Sequence, residues 1–154
     1  MYKLDQIDVD ILRILQRDAN VGVKYLAKAL NLTKTPIYER IKRLEQDSII
    51  QKYVALVNSK KIGNNIIVFC SVSLDVQKLP EIELFNAAIM DLPEVLECYL
   101  MGGSNDFLLK VMVEDLDAYH QFSSGKLAAL ENVNQIKSSF VLNEVKKSTV
   151  IPTL

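Results

Sequence analysis

The sequence predicts an α+β protein, an N-terminal winged helix-turn-helix domain followed by a ferredoxin-like βαββαβ domain. Three observations carry this. Within residues 1–50, apolar residues recur at three- and four-residue spacing in three short blocks, with a tight corner before the third. The second half alternates β-branched runs with helical blocks in the order strand, helix, strand, strand, helix, strand, the split-βαβ arrangement. Between them Asn58 to Asn65 (NSKKIGNN) is polar with one glycine and reads as a boundary, giving domains at 1–60 and 61–154.

The first helix is read from Leu4 to Leu15, with Leu4, Ile7, Ile11 and Ile14/Leu15 as its stripe and Asp5 and Asp8 suited to the positive helix end. Gly22 serves as N-cap of a short second helix that buries Leu26, Ala27 and Leu30, and Asn31-Leu32 makes the corner. The third helix runs from about Lys34 to Gln46 with Ile37, Ile41 and Leu44 inward. Its cap has two readings. Thr35 as N-cap puts Pro36 at N1, and Thr33 puts Pro36 at N3, where its missing N–H still costs no intrahelical bond. Ile49-Ile50 and Tyr53 to Val57 read as a short extended segment, a wing or strand.

In the second half, Ile66 to Asp75 (IIVFCSVSLD) is a strand, and Pro80 to Leu92 a helix with Ile82, Phe85, Ile89 and Leu92 at helical spacing and Pro93 beyond its end. Val95 to Met101 and Phe107 to Val113 form a hairpin around Gly102-Gly103-Ser104-Asn105-Asp106. Leu116 to Leu130 is a helix burying Tyr119, Phe122 and Leu127/Leu130, though Gly125 weakens it by about 1 kcal/mol relative to Ala. Asn134 to Lys147 closes as the final strand.

Composition narrows the function classes. The 154 residues are 49% hydrophobic and 24% charged, which is globular usage. No apolar run approaches the roughly 18 residues of a membrane span, and the acidic start MYKLDQIDVD is unlike a signal or transit peptide, so a cytoplasmic protein is expected. The cysteines, Cys70 and Cys98, have no CxxC spacing and read as buried, inert thiols. A single histidine, His120, leaves no metal cluster and no Ser-His-Asp set, so neither a metal nor another cofactor nor an enzymatic activity is expected. Phe69, Phe85, Phe107, Phe122 and Phe140 read as core or dimer-interface residues.

The net charge of −1 hides a split. Residues 1–60 carry 11 Lys+Arg against 7 Asp+Glu, and residues 61–154 carry 7 against 12. A basic module on an acidic one suggests an anionic partner for the first half. At 100° per residue the stripe Ile37/Ile41/Leu44 leaves Thr35, Tyr38, Glu39, Lys42 and Arg43 facing away. In helix-turn-helix geometry the second helix of the motif enters the major groove of double-stranded DNA by its N-terminal residues. Lys34, Lys42 and Arg43 then reach phosphates, and Thr35, Tyr38 and Glu39 reach base edges, with Thr33 and Pro36 at the helix entry. Arg40 flanks the stripe, within reach of phosphate or of a carboxylate inside the motif. A plain three-helix bundle with a solvated charged face has the same pattern.

The hairpin loop is the second candidate site. Gly102 and Gly103 admit a carboxylate to backbone N–H groups, Asp106 accepts from an ammonium group, and a zwitterionic amino acid needs both. The same residues are also good turn chemistry, with Asp106 capping the turn.

These residues carry a resemblance. LDQIDVDILRILQRDANVGVKYLAKALNLTKTPIYERIKRLEQDSIIQKY closely resembles the DNA-binding half of the leucine-responsive regulatory protein/asparagine regulator (Lrp/AsnC) family. The second half, with its Gly103-Ser104-Asn105-Asp106 loop, FLLKV, and a V..I.S.FVL.EVK strand, is similar to that family's regulatory domain. Departures are Asn31 and Ser48 where the family often has glycine, and Ile136 where a hydroxyl residue is common. The resemblance implies a transcription regulator whose assembly or DNA binding responds to a small amino-acid effector. It implies binding by Met101, Gly102, Gly103, Ser104, Asn105 and Asp106 with Ile136 and Ser138 as neighbours. It also implies a homodimer through the C-terminal sheets, assembling to an octamer as a tetramer of dimers. The competing classes are a ligand-independent architectural DNA binder and a small ferredoxin-like enzyme, and no acid, base or nucleophile constellation supports the latter.

Overall fold

The computed structural model describes residues 3–63 and 65–152. The chain divides into two compact units, residues 3–56 with 146–152 and residues 57–145.

The first unit holds α1 (Gln6–Leu15), α2 (Val23–Ala29) and α3 (Lys34–Gln46). α1 opens with a reciprocal cap. The Asp8 N–H donates to Asp5 Oδ1 (2.9 Å), and the Asp5 N–H donates back to Asp8 Oδ2 (3.2 Å). Thr33 is the N-cap of α3, so Pro36 stands at N3, the second of the two readings. α2 and α3 end alike. Asn31 (φ 54°) and Ser48 (φ 56°) adopt left-handed backbone, with Leu32 N donating to Ala27 O and Ile49 N to Leu44 O, each 2.9 Å. These are Schellman closures, in which glycine is usual and Asn is tolerated. Ile11, Leu12, Leu26, Ala27, Ile37 and Leu44 form the core.

One charged residue sits with this core. Asp8 is fully buried. Arg40 Nη1 donates to Asp8 Oδ1 (2.7 Å) and to Asp5 Oδ2 (2.6 Å), and Arg43 Nη2 lies 3.4 Å from Asp8 Oδ1. The start of α1 is thereby bolted to the middle of α3.

The expected wing strand is absent. Residues 51–58 are outside regular structure and join no ladder among the described residues, because extended backbone becomes a strand only where a neighbour supplies its hydrogen bonds. A short 3-10 turn, Ser59–Ile62, leads into the second unit.

That unit is a four-stranded antiparallel sheet of β1 (Ile66–Leu74), β2 (Val95–Leu100), β3 (Phe107–Val113) and β4 (Val133–Phe140), in the order β2-β3-β1-β4. α4 (Leu79–Met90) and α5 (Leu116–His120) complete the βαββαβ order. The alternate residues Val68, Cys70, Val72 and Leu74 of β1 and Phe107, Leu109, Val111 and Val113 of β3 pack against Phe85 and Ile89 of α4 and Tyr119, Phe122 and Leu127. Expected Leu116–Leu130 helix is α-helical only to His120 and continues as a π-helix, Gln121–Leu127. Ala128 N donates to Ser123 O (2.9 Å), a five-residue span. Gly125, with no side chain to pack, and Ser123, whose hydroxyl donates to His120 O (3.3 Å), lie within the widened turn.

Two further expectations are corrected. Cys98 is exposed, because β2 is an edge strand, whereas Cys70 in the central β1 is buried. The last strand ends at Phe140 rather than Lys147. Residues 146–152 cluster with the first compact unit, where Gln16 captures the main chain of Ile151.

Arg40→Ala is expected to destabilise the first unit by about 3–5 kcal/mol, because it strips the principal partner from a buried carboxylate. Lys42→Ala, on the exposed side of the same helix, is expected to stay within about 0.5 kcal/mol. Urea unfolding followed by far-UV circular dichroism separates the two.

Candidate nucleic-acid interface and effector loop

The two outer stripes of α3 differ in what holds them. Ile37 and Leu44 are fully buried, so the helix is fixed in rotation about its own axis. Thr35, Tyr38, Glu39, Lys42 and Arg43 therefore point outward, as their spacing requires. Lys42 Nζ lies 5.4 Å from the Tyr38 ring centroid, a cation–π distance, and Tyr38 is 50% exposed. Thr33 makes no side-chain cap bond, and no acidic residue occupies the first turn of α3. Thr33, Lys34 and Thr35 are exposed there, with Pro36 half-buried. An uncapped N-terminus flanked by lysine presents N–H dipoles and positive charge to an anion.

Arg40 takes the carboxylate rather than the open role. Its side chain is only 22% exposed, and its bonds to Asp8 and then Asp5 raise its pKa further. Arg43, at 45% exposure, leans on Asp8 while leaving much of its guanidinium in solvent. The signal for this pair lay in the sequence: Asp8 follows Ile7 and stands three before Ile11, beside the apolar stripe. Helix-end electrostatics alone accounted for it there.

In the second unit, the loop from Met101 to Asp106 is drawn tightly onto β1. Met101 N donates to Asp106 O (2.8 Å), Asp106 N to Val72 O (3.0 Å), and Leu74 N to Asp106 Oδ2 (2.7 Å). Asp106 thus anchors the loop, and its Oδ1 has no partner among the described residues. Gly103 has φ +153°, where a side chain is strained although the surrounding space is open. Ser104 and Asn105 form the tip, with Asn105 Nδ2 3.4 Å from Ser104 Oγ.

Ile136 pairs with Val72 across the β1–β4 ladder, so β1 alone separates it from the loop. Ser138 sits further along, opposite Cys70. Its hydroxyl is bonded to Tyr119 OH, which also lies 3.2 Å from Cys70 Sγ. Burial pushes the Tyr119 phenol up to about 12 and raises the Cys70 thiol. The structure therefore brings Met101 to Asp106 together, puts Ile136 one strand away, and turns Ser138 toward α5. The Cys70–Tyr119–Ser138 cluster was not visible in the sequence, because its members lie on three elements. Among the described residues no His, Cys, Asp and Glu cluster could hold a metal, and no helix is long and apolar enough to cross a membrane.

A helix-turn-helix unit with an exposed, uncapped second helix, followed by a regulatory-type βαββαβ unit, defines a DNA-binding transcription regulator. Comparison with known proteins gives the family. The AsnC-type helix-turn-helix domain matches residues 4–45, and the Lrp/AsnC ligand binding domain matches residues 67–151. The chain is 39% identical over 145 residues to the leucine-responsive regulatory protein of Salmonella typhimurium, covering 94% of this chain and 88% of that protein. It is 37% identical over 152 residues to the Bkd operon transcriptional regulator of Pseudomonas aeruginosa, covering 99% of each. A transcriptional regulator of Neisseria meningitidis, solved as an L-Met complex, superposes with a TM-score of 0.93 at 31% identity over 97% of both chains. The chain belongs to the Lrp/AsnC family of transcription regulators, which are not enzymes.

Removing the Asp106 carboxylate leaves the Leu74 N–H without its acceptor. Asp106→Ala is therefore expected to cost about 1–3 kcal/mol, and Asp106→Asn, which keeps an acceptor oxygen, less than about 1 kcal/mol. Thermal melts of the second unit read the difference.

Proposed function

We propose that the protein acts in the cytoplasm as a sequence-specific regulator, binding double-stranded DNA through α3 and altering its assembly or DNA affinity when a small amino acid binds. The observation that carries the DNA reading is the outward face of α3. It has an open N-terminus at Thr33, cations at Lys34, Lys42 and Arg43, and base-reading side chains at Thr35, Tyr38 and Glu39. Pro36 sets the helix entry. Arg40 contributes by holding α3 against α1 rather than by touching DNA.

The effector site is assigned to the loop Met101, Gly102, Gly103, Ser104, Asn105 and Asp106, with Ile136 one strand away across β1 and Ser138 further along β4. Asp106 Oδ1 is the acceptor for the ammonium group, and the glycine backbone supplies donors for the carboxylate. Charge-assisted bonds of this type are the strong ones available to so small a ligand. The L-Met complex of the similar Neisseria meningitidis regulator supports an amino-acid effector.

The sheet face away from α4 and α5 supports self-association. It carries Ile67, Phe69, Leu108, Met112 and Tyr99, with Phe69 36% and Tyr99 49% exposed. The Lys110–Glu97 ion pair crosses this face between Phe69 and Tyr99, and exposed apolar residues around such a polar contact suit an interface. The occupant is a second copy, giving a homodimer that assembles further, to an octamer in the limit of four dimers.

In a salt series of DNA binding, Lys42→Ala and Arg43→Ala should each weaken all sequences and reduce the slope by about one unit, as phosphate contacts do. Thr35 or Tyr38 changes should instead shift site preference by about 1–3 kcal/mol. Unaltered affinity and footprint in a Tyr38→Ala/Lys42→Ala double variant reject α3 as the reading helix.

Light scattering on the full chain should show at least a dimer, and Phe69→Glu should reduce it toward monomer. Calorimetry across the amino acids should find a ligand whose binding is lost in Asp106→Asn. Parent-like binding in that variant moves the site elsewhere.

A further inference from the structure

Two arginines of α3 meet the Asp8 carboxylate, and they meet it on different terms. Arg40 and Arg43 stand three residues apart, so they are neighbours on one stripe of the helix. Arg40 Nη1 donates to Asp8 Oδ1 at 2.7 Å, from a side chain only 22% exposed. Arg43 Nη2 lies 3.4 Å from Oδ1 and 3.5 Å from Oδ2, from a side chain 45% exposed. Charge-assisted bonds draw their strength from separations of about 2.7–2.9 Å. The short bond therefore fastens α3 to α1, and the long contacts add little to that fastening.

They do restrict Arg43. The carboxylate that faces it is held on several sides: Asp8 is fully buried, and its Oδ2 also accepts the Asp5 N–H (3.2 Å). A fixed negative charge thus stands on the inner side of a half-exposed guanidinium, whose planar fork is oriented by it. Lys42, one residue earlier, is placed differently, over the Tyr38 ring at 5.4 Å.

We propose that Asp8 is a positioning residue for DNA binding, its carboxylate holding the Arg43 guanidinium in advance where it meets a phosphate. This rests on the reading of Arg43 as a phosphate contact. Long contacts suit the task better than a short one, since Arg43 is steered without being captured. An arginine ordered before DNA arrives has less rotamer entropy to lose on binding. The competing effect has the opposite sign. By Coulomb's law a carboxylate 3.4 Å from the cation opposes the pull of a phosphate, so neutralising a merely electrostatic Asp8 would tighten binding. Arg40 decides between the two, because its charge sits closer to Asp8 and offsets much of that field before it reaches Arg43.

The test is a double-mutant cycle of Asp8→Asn and Arg43→Ala in the full chain, read as affinity for a mixed-sequence DNA duplex at fixed salt. Asp8→Asn keeps the size of the side chain and an acceptor oxygen while removing the charge. Alone it should weaken binding by about 2- to 12-fold, the range that ordering one long side chain spans. In the Arg43→Ala background it should weaken binding no further. An equal loss in both backgrounds assigns Asp8 to holding α3 through Arg40 and overturns the proposal. Tighter binding by Asp8→Asn alone overturns it too. If Arg43→Ala binds the duplex like the parent, the phosphate contact itself is lost, and the positioning role falls with the reading it rests on.

A second measurement depends on no variant. In the parent without DNA, the nuclear magnetic resonance order parameter of the Arg43 Nε–H should approach that of Arg40 and exceed that of the exposed Arg17. An Arg43 as mobile as Arg17 overturns the positioning role even where DNA binding through α3 stands.

Discussion

The buried carboxylate of Asp8 is the constraint on which the DNA-binding unit depends. A charge at full burial costs several kcal/mol unless paired and hydrogen-bonded. Asp8 meets that demand with Arg40 and Arg43 from α3 and with the Asp5 N–H from its own cap. One side chain thus sets where α1 begins, how far α3 is rotated and which α3 cations remain outside. Hydrophobic burial of Ile37 and Leu44 supplies the attraction between the helices, but it is non-directional. The ion pair gives it a register.

The second unit is organised around β1. Its inward residues build the core, while its edges receive the loop from one side and β4 from the other. Asp106 reaches the main chain of β1 through Leu74, so the loop that presents Gly103 is held by a carboxylate rather than by packing. On the opposite edge, the Cys70–Tyr119–Ser138 cluster fastens β4 to α5 by polar contacts. Candidate ligand groups and load-carrying groups therefore share the same strands.

Element types and most of their limits were legible in the sequence, because they rest on periodicities of two and 3.6 residues that need no knowledge of the fold. α1 to α4, the hairpin around residues 101–106 and the βαββαβ order follow from that. The positions of Asn31 and Ser48 as departures from the family's usual glycines came from the resemblance, and the structure shows both in left-handed backbone. The outward face of α3 was equally legible, since three apolar positions set the rotation of the helix. Family membership came from whole motifs matched in combination, not from any one residue.

Tertiary structure alone decided what depends on approach between distant segments. Arg40 had two chemically equal partners until the fold placed Asp8, 32 residues earlier, within 2.7 Å. Residues 51–58 have the composition of a strand, but pairing requires a neighbouring edge, and a single chain supplies none among the described residues. The end of β4 at Phe140 is set by the end of its pairing with β1, not by a change in residue type. The return of residues 146–152 to α1 rests on one amide meeting one main-chain pair 135 residues away. No periodicity encodes such a meeting, because hydrogen bonds between remote segments are specified by where the chain goes rather than by what repeats along it.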